Sequence, residues 1–98
     1  MDLQELTQRM HAFVRAKGWY GSDSVKPQTP KNLAISLVLE ANEVLELFQW
    51  SDELEGQEEL TSELADVLLY LIQLASVSEI DLEAAVLSKL DENYNRTW

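Results

Sequence analysis

Two short stretches carry the side chains best suited to chemistry: Glu40-Ala41-Asn42-Glu43 and Glu63-Leu64-Ala65-Asp66. Each places two carboxylates three residues apart, which on a helix puts them on one face with Cβ atoms about 5–6 Å apart. An isolated pair of this kind is ordinary solvated helix surface. Its neighbours decide whether it is more than that. Advancing about 100° per residue sets Glu40 among Leu33, Leu37, Val44 and Leu47, and Glu63 among Val67, Tyr70 and Leu74. Both acids therefore interrupt apolar faces. Glu43 and Asp66 fall about 60° further round, at the border with polar surface, where they can face a cleft between the two helices.

Buried carboxylates are costly unless paired or protonated, and four that converge repel one another. Lys31 and Lys89 are too few to neutralise four acids and also serve a substrate, whereas one or two divalent ions would suffice. With no Cys and one His in the chain, an all-oxygen donor set selects a hard cation, Mg²⁺ or Mn²⁺, over Zn²⁺. Mg²⁺ keeps water and binds phosphate oxygens, which points to phosphate-ester chemistry.

The elements that must position these acids are four helices, with Gly and Pro at their junctions and no strand signal. The first starts after Asp2 with Glu5 as capping-box partner, carries Leu3, Leu6, Met10, Phe13 and Val14 on one stripe, and stops at Gly18. A loop follows over 19–28. Thr29-Pro30 then opens the second helix, since Thr can cap and Pro at the first helical position loses no hydrogen bond. That helix is expected to reach about Trp50, with a turn from Ser51 to Gln57 and a third helix from about Glu58 to Val77. Asp81 caps the fourth, whose apolar face is Leu82, Ala85, Val86 and Leu90 and which ends near Asn95.

A length of 98 residues implies one domain spanning 1–98, and 46% hydrophobic residues exclude generic disorder. So small a monomer covers its apolar helix faces poorly, so an oligomer is expected. The net charge of −11 disfavours nucleic acid and anionic membranes as partners. The N-terminus lacks the pattern of a signal peptide, and no uninterrupted apolar run approaches the ~20 residues that span a bilayer. A soluble cytoplasmic protein is the expectation.

Taken together, these residues resemble the MazG-like nucleoside triphosphate pyrophosphohydrolases, whose pattern is Glu-x-x-Glu, a spacer and Glu-x-x-Asp. Here nineteen residues separate Glu43 from Glu63. The resemblance extends to Pro30-Lys31-Asn32-Leu33-Ala34, Glu46-Leu47-Phe48-Gln49-Trp50, Asp66-Val67-Leu68-Leu69-Tyr70-Leu71, Ile80-Asp81-Leu82 and the run from Val86 to Asn93, which is similar to dCTP pyrophosphatases. It covers residues 28–98 well and the first helix loosely.

The resemblance implies an all-α four-helix bundle assembled as a dimer or tetramer. It also implies hydrolysis of a (deoxy)nucleoside triphosphate such as dCTP to monophosphate and pyrophosphate, by water attack at the α-phosphorus, as house-cleaning of the nucleotide pool. Glu40, Glu43, Glu63 and Asp66 would hold Mg²⁺, with Mn²⁺ as a substitute, and Glu40 would also act on the water. Glu46 would be an outer partner. Lys31, Lys89, Asn93 and Arg96 would contact the phosphates, Asn32 would be a further substrate-binding residue, Trp19 and Trp50 would stack on the base, and Tyr70 would orient a carboxylate or the sugar.

One departure is that Gln28-Thr29-Pro30 stands where many relatives have Phe-His-x-Pro, after a longer loop, which bears on base selectivity. His11 is expected to be a partly exposed surface residue. Two other functions compete. A di-iron carboxylate bundle needs Glu-x-x-His on two helices, which a single His cannot supply. A metal-free helical dimerisation module would use the acids only to solvate a groove.

Overall fold

The computed structural model describes residues 1–54 and 56–97. Glu55, inside the expected turn, and Trp98 lie outside the described residues. Four helices follow in order: α1 (Leu3–Ala16), α2 (Pro30–Glu46), α3 (Gln57–Val77) and α4 (Leu82–Tyr94), with no strand among the described residues.

The helix starts are set by short local signals. The Asp2, Thr29 and Asp81 side chains accept hydrogen bonds from the backbone N–H groups of Glu5, Asn32 and Ala84, each three residues on. Such caps satisfy donors that a helix start leaves unpaired. The capping box of α1 is half realised, because the Glu5 carboxylate pairs with Arg9 at 3.5 Å instead.

Gly18, at φ 75°, ends α1: its N–H donates to the Arg15 carbonyl, and the Trp19 N–H donates to Val14. This paired pattern is the Schellman motif, whose left-handed residue favours glycine. The end of α3 repeats it with Glu79 at φ 58°, where Glu79 N–H donates to Ser76 and Ile80 N–H to Ala75. A side chain in that region is strained. Glu79→Gly is therefore expected to stabilise the fold by about 1 kcal/mol, read as a rise in the urea midpoint at unchanged slope.

The second helix is shorter than its pattern suggests. Its last regular residue is Glu46, and bonds from Leu47 to Val44, Phe48 to Leu45 and Gln49 to Glu46 tighten the chain into i→i−3 turns. Phe48, Gln49 and Trp50 consequently lie in turn structure beyond the regular helix.

The long α3 packs most extensively against α2, less against α1 and only lightly against α4. Met10 and Val14 of α1 meet Ile72 of α3 in the core, with Leu3, Trp19, Tyr20 and Leu82 packed around them. On the other side Leu33 of α2 is 1% exposed. The expected apolar face of α4 stays open: Val86 and Leu90 are exposed, since α3 offers it little area.

α3, with 21 residues and a mean hydropathy of 1.4 over an 18-residue window, is long and apolar enough to cross a bilayer by length and composition. The length expectation from uninterrupted apolar runs thus needs correcting for this helix. α3 is the element on which the other three pack, yet only 17% of that window is buried within the chain.

Candidate active site

The side-by-side packing of α2 and α3 brings the two acidic pairs together. One carboxylate oxygen from each of Glu40, Glu43 and Glu63 lies within 4.8 Å of the others. Glu40 and Glu63 are half-buried, as their apolar neighbours require, while Glu43 is exposed at the rim. Asp66, half-buried one turn along from Glu63, adds its charge to the field at Glu40.

The electrostatics follow from this crowding. A hydrogen bond with Glu43, available when Glu63 is protonated, raises the Glu63 pKa to about 7, and desolvation and the Glu43 charge push the same way. Desolvation raises Glu40 as well, reinforced by Glu43 and Asp66. With the acids ionised, Oε2 of Glu40 and Oε2 of Glu63 are both buried with no hydrogen-bond partner. Buried carboxylate oxygens without donors are relieved by a proton or by a cation, and an all-carboxylate donor set fits a hard divalent one. The cluster could therefore hold a metal ion.

A pH dependence follows. The folded state keeps a proton on Glu63 that the unfolded chain, at about 4.5, has released, so between 4.5 and about 7 the folded state binds more protons. Stability of the metal-free protein is expected to fall as pH rises across that window and to level off above it. A metal must displace that proton, so its affinity should rise as pH passes through about 7. Mg²⁺ titrations of the melting temperature at about pH 5.5 and about pH 8 check this: the larger Mg²⁺-induced rise is expected at the higher pH.

Beside the cluster lies a cavity of about 820 Å³, within the usual range for small-molecule sites. Asp66 lines it and so connects it to the carboxylates, and Trp19, Asn32, Tyr70, Gln28 and Gln73 line it further along. Phe13 meets the Trp19 ring edge-on at 5.6 Å, and the Lys26 ammonium sits 5.0 Å over its face. Asn32 is held at the α2 start by donating its side-chain N–H to the Pro27 carbonyl at 2.9 Å.

Other sequence candidates are placed elsewhere. Trp50 is 90% exposed and lines a second cavity with Glu46, Glu53 and Glu59, so the two tryptophans are not brought together in one chain. Glu46 accepts from the Asn42 amide at 3.1 Å. Lys31 is exposed at the start of α2. Lys89 pairs with Glu92 at 3.5 Å on α4. Asn93 is half-buried with an unpartnered Oδ1, and neither it nor Arg96, which is exposed, lines the cavity.

His11 is partly exposed, as expected, but it is tied at both ring nitrogens, with Nδ1 2.6 Å from the Tyr20 hydroxyl and Nε2 2.7 Å from Ser76 Oγ. Gln73 was missed altogether, although a signal existed: it lies seven residues after Asp66 and three after Tyr70, a polar interruption on the same face of an apolar helix.

A family model described as the MazG nucleotide pyrophosphohydrolase domain matches residues 28–97. The chain is 38% identical to dCTP pyrophosphatase 1 of Rattus norvegicus and 39% identical to that of Homo sapiens, in each case over 90% of this chain. It spans about half, 55%, of the length of those curated relatives. The crystal structure of a pyrophosphatase from Archaeoglobus fulgidus DSM 4304 superposes with a TM-score of 0.79 at 36% identity, covering 94% of this chain and 88% of that one.

Proposed function

The chain belongs to the MazG nucleotide pyrophosphohydrolase family, and from that premise we propose that it hydrolyses a deoxynucleoside triphosphate, with dCTP a leading substrate, to monophosphate and pyrophosphate in the presence of Mg²⁺. The observation that carries the reading is the pair of orphaned carboxylate oxygens on Glu40 and Glu63, near Asp66, which is the member of the acidic quartet that lines the cavity.

Glu40, Glu43, Glu63 and Asp66 would hold Mg²⁺, with Mn²⁺ a substitute. When bound, the ion supplies neutralisation of the phosphate oxygens, stabilisation of the pyrophosphate leaving group and a lower pKa for its water. Glu40 is assigned to take the proton from the attacking water, because desolvation and Glu43 make it a stronger base than an ordinary carboxylate. Trp19 offers a flat apolar face to the base, Asn32 and Tyr70 orient the sugar end, and Lys31 supplies a point charge near the phosphates. A metal-free interaction module gives no reason for two buried acceptors without donors.

The exposed apolar residues of α2 and α3, Val38, Leu39, Leu45, Leu64 and Leu68, support a homodimer or homotetramer that covers them. Such an assembly is also how Trp50, Lys89, Asn93 and Arg96 would come to a site that they do not line within one chain. The test is a panel of ribo- and deoxyribonucleoside triphosphates with Mg²⁺, resolving monophosphate plus pyrophosphate from diphosphate plus phosphate. Release of inorganic phosphate alone, or no turnover, would overturn the reading.

A further inference from the structure

A chain of hydrogen bonds that starts from Lys26, Gln28 and Gln73 of the cavity wall joins three parts of the molecule. Gln28 Nε2 donates to the Lys26 carbonyl at 2.6 Å, and Gln28 Oε1 accepts from Gln73 Nε2 at 2.8 Å. Gln73 Nε2 also donates to the Tyr20 hydroxyl at 3.3 Å, which lies 2.6 Å from His11 Nδ1, and His11 Nε2 lies 2.7 Å from Ser76 Oγ. The relay ties α1, the 19–28 loop and α3 together.

Its polarity is fixed at one end. A backbone carbonyl can only accept, so the Lys26 oxygen sets which end of the Gln28 amide faces it. Gln28 must then turn its oxygen to Gln73, and Gln73 must turn its nitrogen to Gln28 and Tyr20. The Tyr20 hydroxyl accepts from Gln73 and also pairs with His11 Nδ1, while His11 Nε2 pairs with Ser76 Oγ. Turning over any one amide would set two acceptors or two donors head to head. The lowered pKa of His11, from burial and then the Arg15 charge, agrees with a ring held neutral.

This has a consequence for ligands. Both N–H bonds of Gln73 are committed, so what a buried residue, only 3% exposed, retains for a molecule in the cavity is its carbonyl oxygen, an acceptor. Gln73 also follows Asp66 and Tyr70 on the same face of α3, about 10 Å along the helix from Asp66 at 1.5 Å per residue. A nucleotide whose phosphates meet the carboxylates thus presents its base at this end.

We propose that Gln73 is a specificity-determining residue, locked by Gln28 into offering an acceptor that selects a base carrying an exocyclic amino group over one carrying a carbonyl at that position. The proposal rests on the cavity being the nucleotide site. Gln28 is a positioning residue that acts through Gln73: anchored on the Lys26 carbonyl, it holds the Gln73 amide in one of its two orientations.

The test uses the full chain with dCTP and dUTP, whose bases have the same size and differ in an amino against a carbonyl group. Wild type should favour dCTP in kcat/KM. Gln73→Leu, which keeps the bulk and removes the acceptor, should lower the dCTP to dUTP ratio by about tenfold. Gln28→Leu, which leaves Gln73 in place but removes the acceptor that fixes its amide, should lower the same ratio and guards against a Gln73 variant that fails to fold. Mg²⁺-induced thermal stabilisation should persist in both, since the carboxylates are untouched. A merely structural role would slow both substrates alike. An unmoved ratio in the two variants would overturn this inference while leaving the hydrolase reading intact, whereas no turnover of either nucleotide by wild type would overturn both.

Discussion

Glu43→Gln is expected to leave a folded protein that has lost about 10³-fold in pyrophosphate release, and Asp66→Asn to do the same. The magnitude follows from the several kcal/mol of transition-state charge stabilisation that a bound metal supplies, at about 1.4 kcal/mol per tenfold in rate. The two positions suit the test because neither is deeply buried: Glu43 is exposed and Asp66 half-buried. Without metal, Glu43→Gln should be at least as stable as wild type, since Glu43 is the main source of the raised Glu63 pKa. Gain of metal-free stability with loss of activity separates a site residue from a structural one. The melting temperature with and without Mg²⁺, alongside kcat/KM, reads both. Retained activity in both variants would remove the carboxylates from the site.

The second large effect concerns Leu33. It is 1% exposed, lies on the α2 wall of the cavity, and belongs to a short set of fully buried apolar residues with Met10, Val14, Ile72 and Ala75. Leu33→Ala removes buried methyl groups and leaves a void that α2 cannot close without shifting its Thr29-Pro30 cap. A loss of about 2–5 kcal/mol is expected, a large part of the roughly 5–15 kcal/mol that holds a small domain together. Urea unfolding checks it through a lower midpoint at unchanged slope. A shift below about 1 kcal/mol would mean that the site collapses around the smaller side chain.

Much of this was legible in the sequence where the causes are local. Asp2, Thr29-Pro30, Gly18 and Asp81 act on backbone groups within a few residues, so the helices begin and end near them. The acidic pairs were legible because a spacing of three fixes a helix face, and their apolar neighbours indicated burial. Asp66 shows how far spacing goes: it reaches the right neighbourhood, yet the tightest cluster is Glu40, Glu43 and Glu63.

What was not legible depends on contacts between distant parts of the chain. The bonds from His11 to Ser76 and from Gln73 to Tyr20 join residues 65 and 53 positions apart, so nothing near His11 marks its tie to α3. The separation of Trp19 from Trp50 likewise depends on tertiary placement: Trp19 packs beside the start of α2 and Trp50 lies beyond its end, with the 17 residues of the helix between them. The open apolar face of α4 reflects the area available on α3, which periodicity does not report.

The most direct measurement of the central claim is hydrolysis of dCTP by the wild-type chain in ¹⁸O-labelled water with Mg²⁺, followed by mass analysis of the products. If Glu40, Glu43, Glu63 and Asp66 hold the ion that directs water to the α-phosphorus, the label appears in the monophosphate and the pyrophosphate is unlabelled, and both products vanish when the metal is chelated. Label in inorganic phosphate beside a nucleoside diphosphate, or turnover that survives chelation, would contradict it.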